Sequence, residues 1–260
     1  MELAHFWGIL FISLHAMVPI TLAAIGETIE ESAGLFNIGL EGILLLGALA
    51  GALGAQASGS AVIGLMTGIG IGAMVGLIFG TIGTTLRGSQ LITGVGINLF
   101  SLGFVALMLT VMGAPGFHSV ARDVQVPLIP LGVGNLSPLV ILSVVLAIGV
   151  WWLLRRTQLG IWIRAVGENP AAADVAGLRV NAIRLGAAVA AGAFAGLAGA
   201  YLSVDWFDDG YRDRCDGGFD LRYDRNDPSG KPVDHWRRDQ SFCAGVCGVD
   251  AECDGRARFS

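Results

Sequence analysis

The feature that most constrains this chain is a succession of apolar stretches, each about as long as a membrane is thick. Six of them lie in residues 1–204: Leu3–Ile25, Ala33–Ala55, Ala61–Thr85, Leu91–Met112, a shorter one ending at Leu154, and Ala182–Val204. An α-helix needs about 20 mostly apolar residues to cross the hydrocarbon core of a bilayer. One such stretch is compatible with a buried core helix; six in succession, nearly free of charge, are not. Only 15 of the first 204 residues are Asp, Glu, Lys or Arg, against 22 of the last 56. The expected fold is therefore an all-α membrane protein, a polytopic bundle of about six transmembrane helices in 1–204 followed by an irregular polar tail. A mean hydropathy of +0.66 excludes a soluble globular domain, and a net charge of −5 argues against nucleic acid as a partner. The first stretch lacks a basic n-region and is too long for a cleaved signal peptide. The fifth is the weakest, because Leu139–Leu154 must recruit residues before Pro138 to span.

Orientation follows from the basic residues of short loops, which stay in the cytoplasm. Arg155, Arg156, Arg164, Arg179 and Arg184 lie in or beside the loop after the fifth stretch, and Trp151 and Trp152 precede it where an interfacial aromatic anchor belongs. That loop is expected inside. Counting back, Arg87–Gln90 and the loop holding Glu27, Glu30 and Glu31 are inside and Gly113–Ser137 is outside, and the N-terminus is outside too unless one Gly-rich stretch is re-entrant.

Polar side chains within lipid tend to face a pathway or a partner. Asn37 and Glu41 lie four residues apart in Ala33-Gly-Leu-Phe-Asn-Ile-Gly-Leu-Glu-Gly42, a spacing that puts both on one helical face. Glycine at this density invites a broken or tightly packed helix, and broken membrane helices occur where they are buried in protein or line a cavity. Asn37, Glu41, Gln90 and Asn98 are the candidate pathway residues. The alternative is that such groups only cross-link helices by hydrogen bonds. His5 and His15 read as interfacial or packing residues rather than a proton relay.

The segment Arg155–Arg179 is amphipathic and does not span. Gly167-Glu-Asn-Pro170 reads as a turn, with Asn169 as helix N-cap, Pro170 at the first helical position and a short helix Pro170–Ala176 closed by Gly177. This small cytoplasmic helix is shaped to sit in a groove on another protein, or to rest on lipid headgroups beside Trp162.

Three blocks then carry a resemblance: Ile29-Glu-Glu-Ser-Ala-Gly-Leu-Phe-Asn-Ile-Gly-Leu-Glu-Gly42, Leu86-Arg-Gly-Ser-Gln-Leu-Ile-Thr-Gly-Val-Gly-Ile-Asn-Leu99, and Thr157 through Ala173 to Gly177. Together they resemble the permease subunits of bacterial ABC importers, in the simple-sugar and nucleoside branch related to the ribose and branched-chain amino acid permeases. The resemblance implies a multi-pass protein of the bacterial inner (plasma) membrane that forms a translocation pathway and is not an enzyme. It implies a cytoplasmic coupling helix docked on an ATPase subunit, at Gly167, Glu168, Asn169, Pro170, Ala173 and Gly177. It further implies a second permease subunit and a substrate-binding lipoprotein or periplasmic protein, with membrane lipid around the bundle. No cofactor or metal is expected. The chain has no G-x-x-x-x-G-K-[ST] loop, so ATP belongs on the partner subunit. A branched-chain amino acid permease, or a membrane scaffold or sensor without transport, are the alternatives.

Permeases of this kind continue with further spans, so 1–204 is expected to be an incomplete permease domain. The tail from Asp205 is rich in Asp, Arg and Gly, holds all four cysteines and has no periodicity. A small cysteine-bearing domain, a disordered segment and a reading-frame shift near Val204 compete to explain it. The shift is preferred on codon grounds. Read one base later, Asp-Arg gives Ile or Thr, Arg-Asp gives mostly Val, Ala or Gly, and Asp-Gly gives Met or Thr, which is the vocabulary of an apolar helix.

Overall fold

In a computed structural model the described residues are 2–86, 88–111, 129–130 and 135–206. Eight α-helices occur among them: α1 (Glu2–Ser32), α2 (Leu40–Ser58), α3 (Ala61–Thr84), α4 (Gln90–Val111), α5 (Pro138–Arg156), α6 (Gln158–Glu168), α7 (Pro170–Val175) and α8 (Val180–Tyr201), the last followed by a π-helical turn, Leu202–Trp206. Two two-residue strands, β1 (Ile129–Pro130) and β2 (Asn135–Leu136), pair antiparallel before α5. Helices α2, α3, α4 and α5, and α8 with its extension to Val204, are each long and apolar enough to cross a membrane. Helix α1 runs through the remaining expected stretch. The chain is a multi-pass membrane protein.

Helix α8 lies at the centre, with α1, α2 and α3 packed around it. Its sequence explains why. Ala188, Gly192, Gly196 and Ala200 recur every four residues and form one smooth stripe. Helix α3 carries the matching stripe Gly64, Gly68, Gly72, Gly76 and Gly80. Lipid tails are as apolar as leucine, so membrane helices associate by close packing, which small residues permit. Here the backbones interlock. A Cβ on Gly72 would strike the Gly192 carbonyl and sit 2.7 Å from the Gly196 Cα, and a Cβ on Gly196 would strike the Gly68 carbonyl.

Helix α1 contains Pro19, which has no N–H for the carbonyl four residues earlier, that of His15. The fully buried Tyr201 donates its hydroxyl to this carbonyl at 3.4 Å. Around this contact Val18, Leu22, Leu139, Val140 and Leu197 form one apolar cluster. His15 also holds the start of α5, because its Nε2 accepts the Ser137 N–H at 3.2 Å. His15 thus ties α1 to the start of α5.

Three expectations need correction. Helix α5 starts at Pro138, with the Ser137 hydroxyl accepting from Leu139 N–H, and runs on through Arg155 and Arg156. It needs no residues before Pro138, because the basic pair extends it at the end where cations suit the helix dipole. The second stretch is not one helix over Ala33–Ala55. Residues 33–39 are non-helical and α2 begins only at Leu40. Glu27, Glu30 and Glu31 lie in the last turns of α1 rather than in a loop. The tail from residue 207, and most of Gly113–Ser137, lie outside the described residues.

Candidate functional site

The site is built around the break between α1 and α2. Gly34 adopts φ +76°, a left-handed conformation that ends the helix without the strain a side chain brings. The next residues have no helical ladder, so their backbone groups need other partners. Side chains supply them. Phe36 N–H donates to Gln90 Oε1 at 2.9 Å. Asn98 Nδ2 donates to the Ile38 carbonyl at 2.9 Å, while Asn98 Oδ1 accepts from Gly42 N–H at 2.7 Å. Asn37 Oδ1 accepts from Gly39 N–H at 2.8 Å, and its Nδ2 donates to Glu30 Oε2 at 3.2 Å. The α4 backbone approaches closely here, since a Cβ on Gly94 would lie 2.8 Å from Gly39 N.

Three of the four candidate pathway residues, Asn37, Gln90 and Asn98, are therefore brought together on one broken segment. Glu41 is not among them. It is exposed in the first turn of α2, whereas Asn37 is buried in the non-helical stretch. The expected shared face fails because the i, i+4 relation holds only within a continuous helix. Sequence reasoning missed Glu30, which is fully buried. Its Oε1, like Glu27 Oε2, has no hydrogen-bond partner among the described residues. The available signal was the spacing of Glu30 and Asn37, which matches two turns but straddles a helix end.

The segment that follows α5 is seated on the same break. Thr157 ends α5 and caps α6, its hydroxyl accepting from Gly160 N–H at 3.3 Å. Helix α6 buries Gly160 and Val166 and exposes Leu159, Ile161 and Trp162, as a helix lying in the membrane interface does. At its end Gly167 rests on the α1–α2 turn, where a Cβ would strike the Ser32 carbonyl and lie 3.1 Å from Gly34 N. Arg184, from the first turns of α8, donates Nε–H to the Ala33 carbonyl at 3.1 Å.

Beyond Gly167 the expected helix forms. Asn169 Oδ1 accepts from Ala172 N–H at 3.0 Å, and Pro170 opens α7. Gly177, at φ +85°, follows its end, with Leu178 N–H donating to the Ala173 carbonyl at 3.0 Å. The turn expected at 167–170 is shorter than its sequence suggested, because Gly167 and Glu168 still belong to α6. Ala173 faces inward at 5% exposure; Glu168 is exposed, and Val175 projects at 91%. A groove of about 570 Å³ between Pro170, Asp174, Arg179 and Asn181 flanks the helix.

The family model described as branched-chain amino acid transport system / permease component matches residues 9–207. Among curated proteins the chain is 34% identical over 206 residues to a putative glucose ABC transporter permease protein of Haloferax volcanii, covering 76% of this chain and 63% of that one. It is 31% identical over 199 residues to a guanosine ABC transporter permease protein of Bacillus subtilis, covering 70% and 62%. It is 29% identical over 214 residues to a galactofuranose transporter permease protein of Escherichia coli, covering 77% and 61%. The chain thus spans about three-fifths of the length of these relatives. No solved structure matches.

Proposed function

The chain belongs to the branched-chain amino acid transport system / permease component family, and from that premise we propose that it is a permease subunit of an ABC importer for nucleosides or simple sugars. The observation that carries the coupling half of this reading is the seating of Gly167 on the α1–α2 break. A push on α7 passes through α6 to the turn at Ser32–Gly34, where the break between α1 and α2 begins. Closure of a bound ATPase pair would deliver that push, and rigid helix groups would rock between outward- and inward-open states. On this reading the chain does no chemistry itself, ATP is hydrolysed on the partner, and a second permease subunit and a substrate-binding protein complete the importer.

The proposed cargo rests on the relatives. Those compared above are named for glucose, guanosine and galactofuranose, which are neutral and rich in hydroxyl groups. The family description favours branched-chain amino acids as the second reading. An uptake assay with labelled guanosine, glucose and leucine separates the two.

Co-purification with the ATPase tests the docking. Gly177→Pro cannot adopt φ +85°, and Glu168→Lys reverses an exposed charge beside the cap. Each is expected to weaken ATPase recovery about tenfold with the membrane bundle intact; undiminished recovery from both overturns the docking helix. Gly167→Leu is expected to act differently. The ATPase still binds, but transport per ATP falls by up to about thirtyfold, the range that a lost coupling of about 2 kcal/mol allows. Gly186→Leu is the control, because a Cβ there meets nothing within 4 Å.

A further inference from the structure

We propose that the groove between α1, α5 and α6 binds an anionic phospholipid of the cytoplasmic leaflet. The groove encloses about 450 Å³, within the range of small-molecule sites. Its inner wall is apolar, made by Ile25, Ala147, Val150 and Leu154, and its rim carries two guanidinium groups, Arg155 and Arg164. Arg155 lies over the Trp151 ring, 5.8 Å from its centroid, and Arg164 donates Nε–H to the Gly160 carbonyl at 3.4 Å. Neither contact neutralises the charge, and both arginines keep their remaining N–H donors for a phosphate.

Two further groups refine the ligand. Thr28 and Ser32 also line the groove. Their hydroxyl protons are spent on the Ala24 and Thr28 carbonyls, at 2.7 and 2.6 Å, so each oxygen presents only acceptor capacity. A headgroup that combines a phosphate anion with hydroxyl donors, as phosphatidylglycerol does, satisfies both sets. Position agrees with this chemistry. Trp151 and Trp152 are half exposed at the end of α5, where aromatic side chains mark the interface. The basic residues place that end in the cytoplasmic leaflet, which carries the anionic lipids. A bound lipid would lean on α6, the helix whose last turn seats Gly167 on the α1–α2 break. The inference rests on membrane placement and stands whatever the cargo is.

The test is native mass spectrometry of the purified full chain, released from micelles that contain phosphatidylglycerol and phosphatidylcholine in equal amounts. Preferential retention of one phosphatidylglycerol is expected. A basic residue near a membrane surface contributes about fivefold, so Arg155→Gln with Arg164→Gln is expected to weaken retention about 25-fold. The double lysine variant, which keeps the charge, is expected to stay within about twofold of the parent. Ala147→Trp, which fills the groove and leaves both arginines, is expected to abolish retention. Equal retention of the two lipids, or unchanged retention in the double glutamine variant, overturns the proposal. So does displacement of the lipid by millimolar inorganic phosphate, which would make the groove a site for a soluble anion. The lysine and tryptophan variants keep the test decisive if the glutamine pair does not fold.

Discussion

Gly72→Leu is expected to yield no folded protein, and Gly70→Leu, two residues away on the same helix, is expected to fold like the parent. Either change removes a glycine from a helix interior and gains about 1 kcal/mol of helix propensity. At Gly70 nothing opposes that gain, because a Cβ there meets no atom within 4 Å. At Gly72 the new side chain enters the space of the α8 backbone, between the Gly192 carbonyl and the Gly196 Cα. Overpacking against movable side chains already costs about 1–3 kcal/mol, and a helix backbone cannot step aside without parting the whole seam. The collision wins. The α3–α8 seam lies at the centre of the bundle, so its loss also releases α1 and α2 from α8. Fluorescence-detected size exclusion after detergent extraction reads the outcome, as a monodisperse peak for Gly70→Leu and aggregate for Gly72→Leu. A monodisperse Gly72→Leu that melts with the parent would mean that the two helices are not in backbone contact.

Much of this architecture was legible because the bilayer simplifies the problem. A membrane helix must satisfy its own backbone, so long apolar runs declare themselves. The helix from Pro170 was legible for a different reason: its start and stop use local chemistry, the Asn169 side chain and the left-handed Gly177. What was not legible is the break at 33–39. Its sequence is as apolar as a helix, and nothing local says that Phe36 and Ile38 will find partners 54 and 60 residues away, at Gln90 and Asn98. The glycines hinted at a discontinuity but not its extent. The same blindness put Asn37 and Glu41 on one face and left Glu30 in a loop. Long-range hydrogen bonds decide where this helix stops, and periodicity within a window carries no record of them.

That break also supports the second large expected effect, on Asn98. Asn98→Leu removes a donor and an acceptor together, leaving the Ile38 carbonyl and the Gly42 N–H unpaired. A backbone group orphaned away from water costs about 1–3 kcal/mol; the Gly42 bond is part-buried and the Ile38 bond exposed, so the expected loss for the two together is about 1–3 kcal/mol. Gln90→Leu orphans only Phe36 N–H and should lose about half as much. Glu41→Gln, at an exposed position, should change stability by less than about 0.5 kcal/mol. Bonds between membrane helices are often worth less, because the unfolded state within the bilayer finds other partners. That discount applies to side chains far more than here: a non-helical backbone has no partner of its own, and the alternative, a continued helix through 33–39, would need the Gly34 turn undone. Thermal melting of the three variants in one detergent gives the ranking Asn98, Gln90, Glu41. A different result would be equally informative about chemistry. If Asn98→Leu melts with the parent, water already reaches Ile38 and Gly42, and the segment lines an aqueous passage. The amides then serve the solute, as the pathway hypothesis requires, and uptake rather than stability would fall.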